Sequence, residues 1–386
     1  VTSLRADVVI IGAGAIGLAS AYELAKAGVD VLVVERSFLA KEAAGRNPGG
    51  IRQIGRDENE VPLIVAAVKR WHALEEELGC SLELREDGYL WVALSEQELE
   101  VQRSLVERDA AYGIQEYLLG RDGVRELAPA ISDVVCGGLY SPTDLIANPF
   151  LVAWGYYKRA QALGARFLFG AEVTGLRVEG GRVHTVVTTQ GEVAAGVVVN
   201  AAGPWADRIG RMAGIEIPIT PCPNQFILTE PMPPILPPFL LISGIAVCRQ
   251  SPRGHVYIGN TNAPGGISGY SKATHYGELV RATTNILKIV PAFRDLHVIR
   301  TWVGTIDFTP DDNFIFGSAE GVEGLVLACG FSGHGFALTP IMGQLVREFI
   351  VEGRTSLPVD AFRLGRFAER RAKKAAHFAH QQLEGA

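Results

Sequence analysis

The residues of this chain whose types and spacing could do chemistry are three glycines and an acid near its start, two arginines just beyond them, and a glycine-rich turn around His334. In Gly12-Ala13-Gly14-Ala15-Ile16-Gly17 the first glycine permits a tight turn, the second lets the backbone approach a pyrophosphate, and the third lets a helix pack closely on a strand. Glu35, 23 residues after Gly12, can accept hydrogen bonds from both hydroxyls of an unphosphorylated ribose. Arg46 and Arg52, in the glycine-rich stretch 43–52, suit a cofactor that extends past its pyrophosphate.

Elements must position these groups. Residues 7–11 form a continuous β-branched run, which predicts a strand buried on both faces. Residues 18–27 predict a helix ending at Gly28, and 31–34 a second strand ending at Glu35, so the opening is a complete βαβ dinucleotide unit with a helix N-terminus available to phosphates. Farther on, 167–173, 176–178 and 183–188 read as short strands around turns. Residues 81–94, 223–230 and 255–259 read as half-buried strands, and 231–238 as a proline-rich connector.

Composition narrows the partners. With 36 basic and 42 acidic residues, a net charge of -6 and no basic block, the chain offers no general attraction for nucleic acid, and a small molecule is the expected partner. Five scattered cysteines without a CxxC pair argue against a disulfide framework or a zinc site. No 18-residue apolar run and no secretory pattern in the first residues are present, which predicts a cytoplasmic protein with reduced thiols and no membrane span. The basic tail 362–380, with Arg366, Arg370, Arg371, Lys373 and Lys374, predicts a charged helix with a solvated face. His377 and His380 stand at helical spacing without a third metal ligand.

Three blocks carry a resemblance to a known family: the loop Ala43-Ala44-Gly45-Arg46-Asn47-Pro48-Gly49-Gly50-Ile51-Arg52, the stretch from Gly196 through Asn200-Ala201-Ala202-Gly203-Pro204-Trp205 to Ala206, and the stretch from Gly324 through Cys329-Gly330-Phe331-Ser332-Gly333-His334-Gly335 to Phe336. In order and spacing they resemble the FAD-dependent amino-acid oxidases that include glycine oxidase, monomeric sarcosine oxidase and the sarcosine oxidase β subunit. The resemblance runs from residue 7 to about residue 350. It implies an α/β fold in which a Rossmann-type, glutathione-reductase-like FAD domain (1–85, 145–215 and 312–386) is roofed by a largely antiparallel substrate domain (86–144 and 216–311). It also implies cofactor contacts from Gly12, Gly14, Ala15, Ile16, Gly17, Glu35 and Arg36, and from Gly45, Arg46, Asn47, Gly49, Gly50 and Ile51. Further contacts are implied from Val173, Ala201, Ala202, Gly203, Trp205 and Gly304, and from Gly330, Phe331, Ser332, Gly333, His334, Gly335 and Phe336. A helix over 337–351 would aim its positive end at the flavin pyrimidine.

Departures from the family pattern shape the expected chemistry. Arg52 matches a family arginine that binds the substrate carboxylate, and a guanidinium grips two oxygens at once. Gly304 stands where monomeric sarcosine oxidase has a cysteine bonded to FAD, which implies non-covalent FAD. Ile306 and Ala337 replace the family's second carboxylate anchors, leaving Arg249, Tyr257, Arg300 and Thr305 as candidate substitutes. Tyr257 is also the counterpart of the lysine that activates dioxygen, which implies slow reaction with oxygen and admits a dehydrogenase serving another acceptor. His334 either supplies a positive charge near the ring or satisfies backbone groups. The expected reaction is hydride removal from the carbon next to the amine of a secondary, N-substituted or cyclic amino acid, giving an imine that hydrolyses. The alternatives are the flavin-bearing β-type subunit of a hetero-oligomeric amine dehydrogenase, and a nicotinamide-dependent dehydrogenase.

Overall fold

The computed structural model describes residues 4–242, 246–260 and 269–369, without the side chain of Asn260. The opening unit folds as its pattern predicts: strand Leu4–Ile11, helix Ala15–Lys26 and strand Val31–Glu35. Val9 and Ile10 are fully buried on opposite faces of the first strand. Val8 and Ile10 pack toward Leu18, Leu24, Leu338 and Ile341, while Val9 and Ile11 pack toward Val34, Val198 and Ile209. The predicted helix start was late by three residues, because Ala15, Ile16 and Gly17 already form its first turn.

The first sheet runs Ile315–Ser318, Leu325–Cys329, Gly191–Asn200, Leu4–Ile11, Val31–Glu35, Arg166–Phe169, with Arg182–Thr188 pairing Gly191–Asn200 and Val173–Glu179. Five of its strands are parallel: Leu325–Cys329, Gly191–Asn200, Leu4–Ile11, Val31–Glu35 and Arg166–Phe169. Helix Gly335–Val351 packs on Ala15–Lys26, starting two residues earlier than the sequence predicts.

The second sheet runs Val298–Phe308, Thr220–Pro231, His255–Asn260, Ala246–Gln250, Phe239–Ile242, Tyr89–Ala93, Gly137–Ser141, Tyr117–Gly120. Every pairing is antiparallel except Phe239–Ile242 with Tyr89–Ala93. Its strands alternate: Leu90, Val92, Ile227, Leu240, Cys248, Val256 and Ile258 enter a core with Ala282 and Ile286 of helix Tyr276–Ile289, leaving their neighbours on the opposite face. Among the described residues no helix is long and apolar enough to cross a membrane.

The expected solvated tail is corrected at its described end. Arg366 is buried, and its Nε and Nη2 donate to the Asp311 carboxylate at 2.9 and 3.0 Å. A guanidinium met along one edge by a carboxylate can be buried because its charge and its N–H groups are both satisfied there. Arg370, Arg371, Lys373, Lys374, His377 and His380 lie outside the described residues.

Beside the second sheet, Glu116 is buried with both carboxyl oxygens unpartnered. Burial, reinforced by the Asp109 and Asp144 carboxylates, pushes it up to about 8. The folded chain therefore holds this proton more tightly than the unfolded chain, and stability falls as pH rises from about 4.5 toward 8. Glu116→Gln cannot ionise. It is expected to match the native chain below about pH 4 and to gain up to about 1.4 kcal/mol per pH unit across the window, read as Tm against pH.

Candidate functional site

The carboxyl ends of the parallel strands open into one cavity of about 850 Å³, where an open α/β sheet ordinarily binds its ligand. Gly12 to Ile16 follow the first strand, Glu35 ends the second, Ala201 to Trp205 follow Gly191–Asn200, and Phe331 to Phe336 follow Leu325–Cys329. The second sheet covers this cavity with the face opposite its own core, contributing Tyr89, Trp91, Phe226, Phe239, Leu241 and Val247.

The dinucleotide end is built by close backbone packing. Gly12, at φ +107°, lies where a Cβ would meet the Ala201 oxygen at 2.6 Å, and a Cβ on Gly17 would meet the Gly12 oxygen at 2.0 Å. Above Gly14 the nearest atom to such a Cβ is the Ala44 Cβ at 4.0 Å, so its backbone faces open space. The Glu35 carboxylate accepts from Ala13 N and Ser37 N, each at 2.9 Å, which fixes it beside the glycine turn while leaving lone pairs for ribose hydroxyls. Arg36 lies 3.6 Å over the Trp205 ring. Among the described residues, the shape and donor set fit a dinucleotide extended from Glu35 toward His334.

Most of the residues expected to contact the cofactor line the cavity, including Ala15, Ile16, Arg46, Asn47, Gly50, Val173, Ala202, Gly203, Gly304, Ser332 and Gly333. Gly17, Gly45, Gly49, Ile51 and Gly330 stand behind this lining and shape the wall. A Cβ on Gly45 or Gly49 would strike the Ala40 or Ala147 oxygen, Ile51 is fully buried, and Gly330 N donates to Asp307 at 2.8 Å. Arg46 lines the cavity, yet its Nε and Nη1 donate to the Lys41 and Val303 oxygens, tying the loop to the roof.

Arg52 and Thr305 line the cavity, but Tyr257, Arg249 and Arg300 do not. For Tyr257 the reason is its neighbours: Arg249 lies 4.3 Å over its ring and Trp302 meets it edge-on at 6.2 Å. Phe226, whose ring covers Gly259 and stacks on Trp302 at 5.4 Å, faces the cavity instead. Thr305 is fully buried and accepts from Lys272 Nζ at 2.8 Å, and Lys272 also pairs with Glu42.

At the far end stands a cluster that the sequence reading missed. Arg56 and Glu60 are both buried and pair at 3.5 Å, and Arg56 donates from Nε and Nη2 to the Arg52 oxygen at 3.1 and 2.9 Å. Arg52 Nη1 donates to the Ile54 and Gly55 oxygens. Gln53, next in the chain, is pinned by Asp144 through its own N at 2.9 Å and its Nε2 at 3.1 Å. Helix Val61–Leu78 then carries Trp71, whose Nε1 donates to the Ala337 oxygen at 2.7 Å and so draws Glu60 against the turn bearing His334. Three charges at intervals of four, Arg52, Arg56 and Glu60, just before an apolar helix were the available signal. Tyr89 and Trp91, alternating along one strand, were another; Tyr89 stacks on Phe239 at 4.3 Å.

Charge at this end is set by burial. Desolvation and the nearby Arg52 bring Arg56 down to about 10, so it stays a cation at neutral pH. Burial raises Glu60 against the pull of both arginines. His334 is held well below its ordinary value by burial, then by Arg56 and Arg52, which corrects the option that it supplies a positive charge in the ligand-free chain. Asp307 accepts from Gly330 N and Phe331 N at 2.8 and 3.1 Å, and burial lifts it to about 6. Among the described residues no group of three or more His, Cys, Asp and Glu side chains is arranged to hold a metal.

Residues 7–349 match the family model described as FAD dependent oxidoreductase. The chain is 30% identical to sarcosine oxidase subunit beta of Arthrobacter sp over 373 residues, covering 94% of this chain and 91% of that protein. It is 27% identical to mitochondrial dimethylglycine dehydrogenase of Rattus norvegicus over 371 residues, covering 90% of this chain but 43% of that protein, so it spans less than half of that relative. The crystal structure of L-proline dehydrogenase from P. horikoshii is similar at a TM-score of 0.90 and 32% identity, covering 95% of this chain and 99% of that one.

Proposed function

Because the chain belongs to the FAD dependent oxidoreductase family, we propose that this enzyme oxidises the amine of a secondary, N-substituted or cyclic amino acid at its α carbon, giving an imine that water hydrolyses. The observation that carries this reading is the far end of the cavity, where cationic Arg52 and Arg56 stand beside the aromatic wall of Tyr89, Trp91 and Phe239. An amino acid presents just such a carboxylate next to a compact apolar body. The names of the relatives, which act on sarcosine, dimethylglycine and L-proline, support the same substrate class.

FAD, when bound, supplies the hydride acceptor. Gly12 to Ile16 and the helix behind them would hold its pyrophosphate, Glu35 would hold its adenosine ribose, and the start of helix Gly335–Val351 would favour negative charge on the bound group. Arg52 anchors the substrate carboxylate, and Tyr89, kept a neutral phenol by burial, helps exclude water. This reading divides the chain between a discontinuous cofactor-binding part carried by the first sheet and a substrate-binding part carried by the second. It places the protein in the cytoplasm. A second reading, a flavin-bearing β-type subunit of a larger assembly, is favoured by the relatives named as subunit beta.

FAD is held here without a covalent bond: none of the five cysteines lines the cavity, and Gly304 offers no nucleophile. Acid precipitation of the purified protein is expected to release all the flavin into the supernatant; yellow colour remaining in the pellet would overturn this. The reaction itself is tested by adding sarcosine, dimethylglycine, and D- and L-proline to the yellow protein under anaerobic conditions and then admitting air. Bleaching by at least one is expected, with slow recolouring if another acceptor serves the enzyme. A protein that none of them bleaches would sink the amine reading.

A further inference from the structure

Resting on that amine reading, we propose that His334 Nδ1, with Glu60 behind it, takes a proton from the substrate's ammonium before the α C–H bond is broken. The imidazole is oriented for this. His334 Nε2 lies 3.0 Å from the backbone oxygen of Asp312, an acceptor only, so Nε2 carries the hydrogen and Nδ1 carries the lone pair. Nδ1 stands 3.5 Å from Glu60 Oε1, and neither atom has a hydrogen-bond partner. Both residues line the cavity. Two acceptors that face each other with no donor between them are costly to bury, and a ligand bringing N–H groups relieves that cost. An ammonium is such a ligand, and it is the group that must lose a proton before the adjacent carbon can give up a hydride.

The charges around His334 make the proton acceptance depend on substrate. The groups facing it are the cations Arg52 and Arg56 and the acid Glu60, with Asp312 contributing its backbone oxygen. With Glu60 ionised, the free site carries one excess positive charge, which holds the imidazole neutral. A carboxylate settling on Arg52 cancels that excess and makes Nδ1 more basic just as the ammonium arrives. In the transfer an N–H bond of the ammonium breaks, an N–H bond forms at Nδ1, and the electron pair stays on the substrate nitrogen. The Glu60 carboxylate then faces the imidazolium, and the proton leaves to solvent when product departs.

Two measurements test this on the flavin-loaded enzyme, using whichever amino acid bleaches it. In the native protein the anaerobic bleaching rate is expected to hold down to pH values well below the ammonium's own ionisation. In His334→Gln it should fall on the order of 100-fold at neutral pH and recover toward about pH 10, where the free amine predominates. Glu60→Gln should move the profile the same way by a smaller amount, and it alone decides if the histidine variant loses flavin. The second readout is binding: calorimetry with tetrahydrofuran-2-carboxylate, which has a carboxylate but no N–H, in two buffers of different ionisation heat. The native protein should take up a proton on binding, and His334→Gln should take up none. Unchanged pH profiles in both variants, or uptake that survives His334→Gln, would overturn the assignment while leaving amine oxidation standing. Absence of any bleaching would remove the amine reading, and this inference with it.

Discussion

Replacing Arg52 with glutamine is expected to lower kcat/KM for the amino acid by roughly two to three orders of magnitude, chiefly through KM. Truncating one partner of a desolvated, hydrogen-bonded charge pair costs about 2–5 kcal/mol, because the remaining charge is left without its counterpart. The guanidinium is held on one edge by the Ile54 and Gly55 oxygens, so it is aimed before substrate arrives. Arg56 cannot take over, since it is engaged with Glu60 and the Arg52 oxygen. Flavin content should be unaffected, and amines lacking a carboxylate should react with Arg52→Gln as they do with the native enzyme. A KM unchanged for the amino acid would place the carboxylate elsewhere in the cavity.

The second large effect is expected at Gly17, which touches no ligand. A Cβ there would lie 2.0 Å from the Gly12 oxygen and 3.3 Å from Ile10 Cγ2, so in Gly17→Ala the helix Ala15–Lys26 must lift from the first strand. That shift carries Gly14 and the helix N-terminus away from the pyrophosphate. Overpacking of this kind costs about 1–3 kcal/mol or more. The variant should purify colourless, with a Tm no longer raised by added FAD. Gly28→Ala is the control: at φ +78° it is strained by about 1 kcal/mol, but no atom lies within 4 Å of the new methyl, and its flavin content should be that of the native protein. If Gly17→Ala retained FAD normally, the tight helix–strand contact would not be what positions the phosphate turn.

The dinucleotide end of the cavity was readable residue by residue because its chemistry is local. Gly12, Gly14, Gly17 and Glu35 act through backbone geometry across one βαβ unit, and hydrophobic period alone predicts that unit. The turn at Gly330 to Phe336 was readable for the same reason, as a strand, a glycine cluster and a helix start in succession. The surroundings of Tyr257, packed between Arg249 and Trp302, were not readable, because alternation along a strand says which face a side chain takes, not which neighbour already fills that face.

The sequence by itself determined the βαβ dinucleotide unit at its start, since turns, periodicity and glycine positions act over short spans, while FAD and the two-part fold were implied by the family resemblance of residues 43–52, 196–206 and 324–336. The tertiary structure adds Arg56, Glu60 and Tyr89 to the proposed substrate end, beside Arg52 and His334 that the sequence had marked. Arg56 and Glu60 come from one loop, His334 from a turn 274 residues beyond Glu60, and Tyr89 from the second sheet. Their protonation states depend on how water is excluded and which charges are brought within a few ångströms. Those are properties of packing, to which neither spacing nor composition responds.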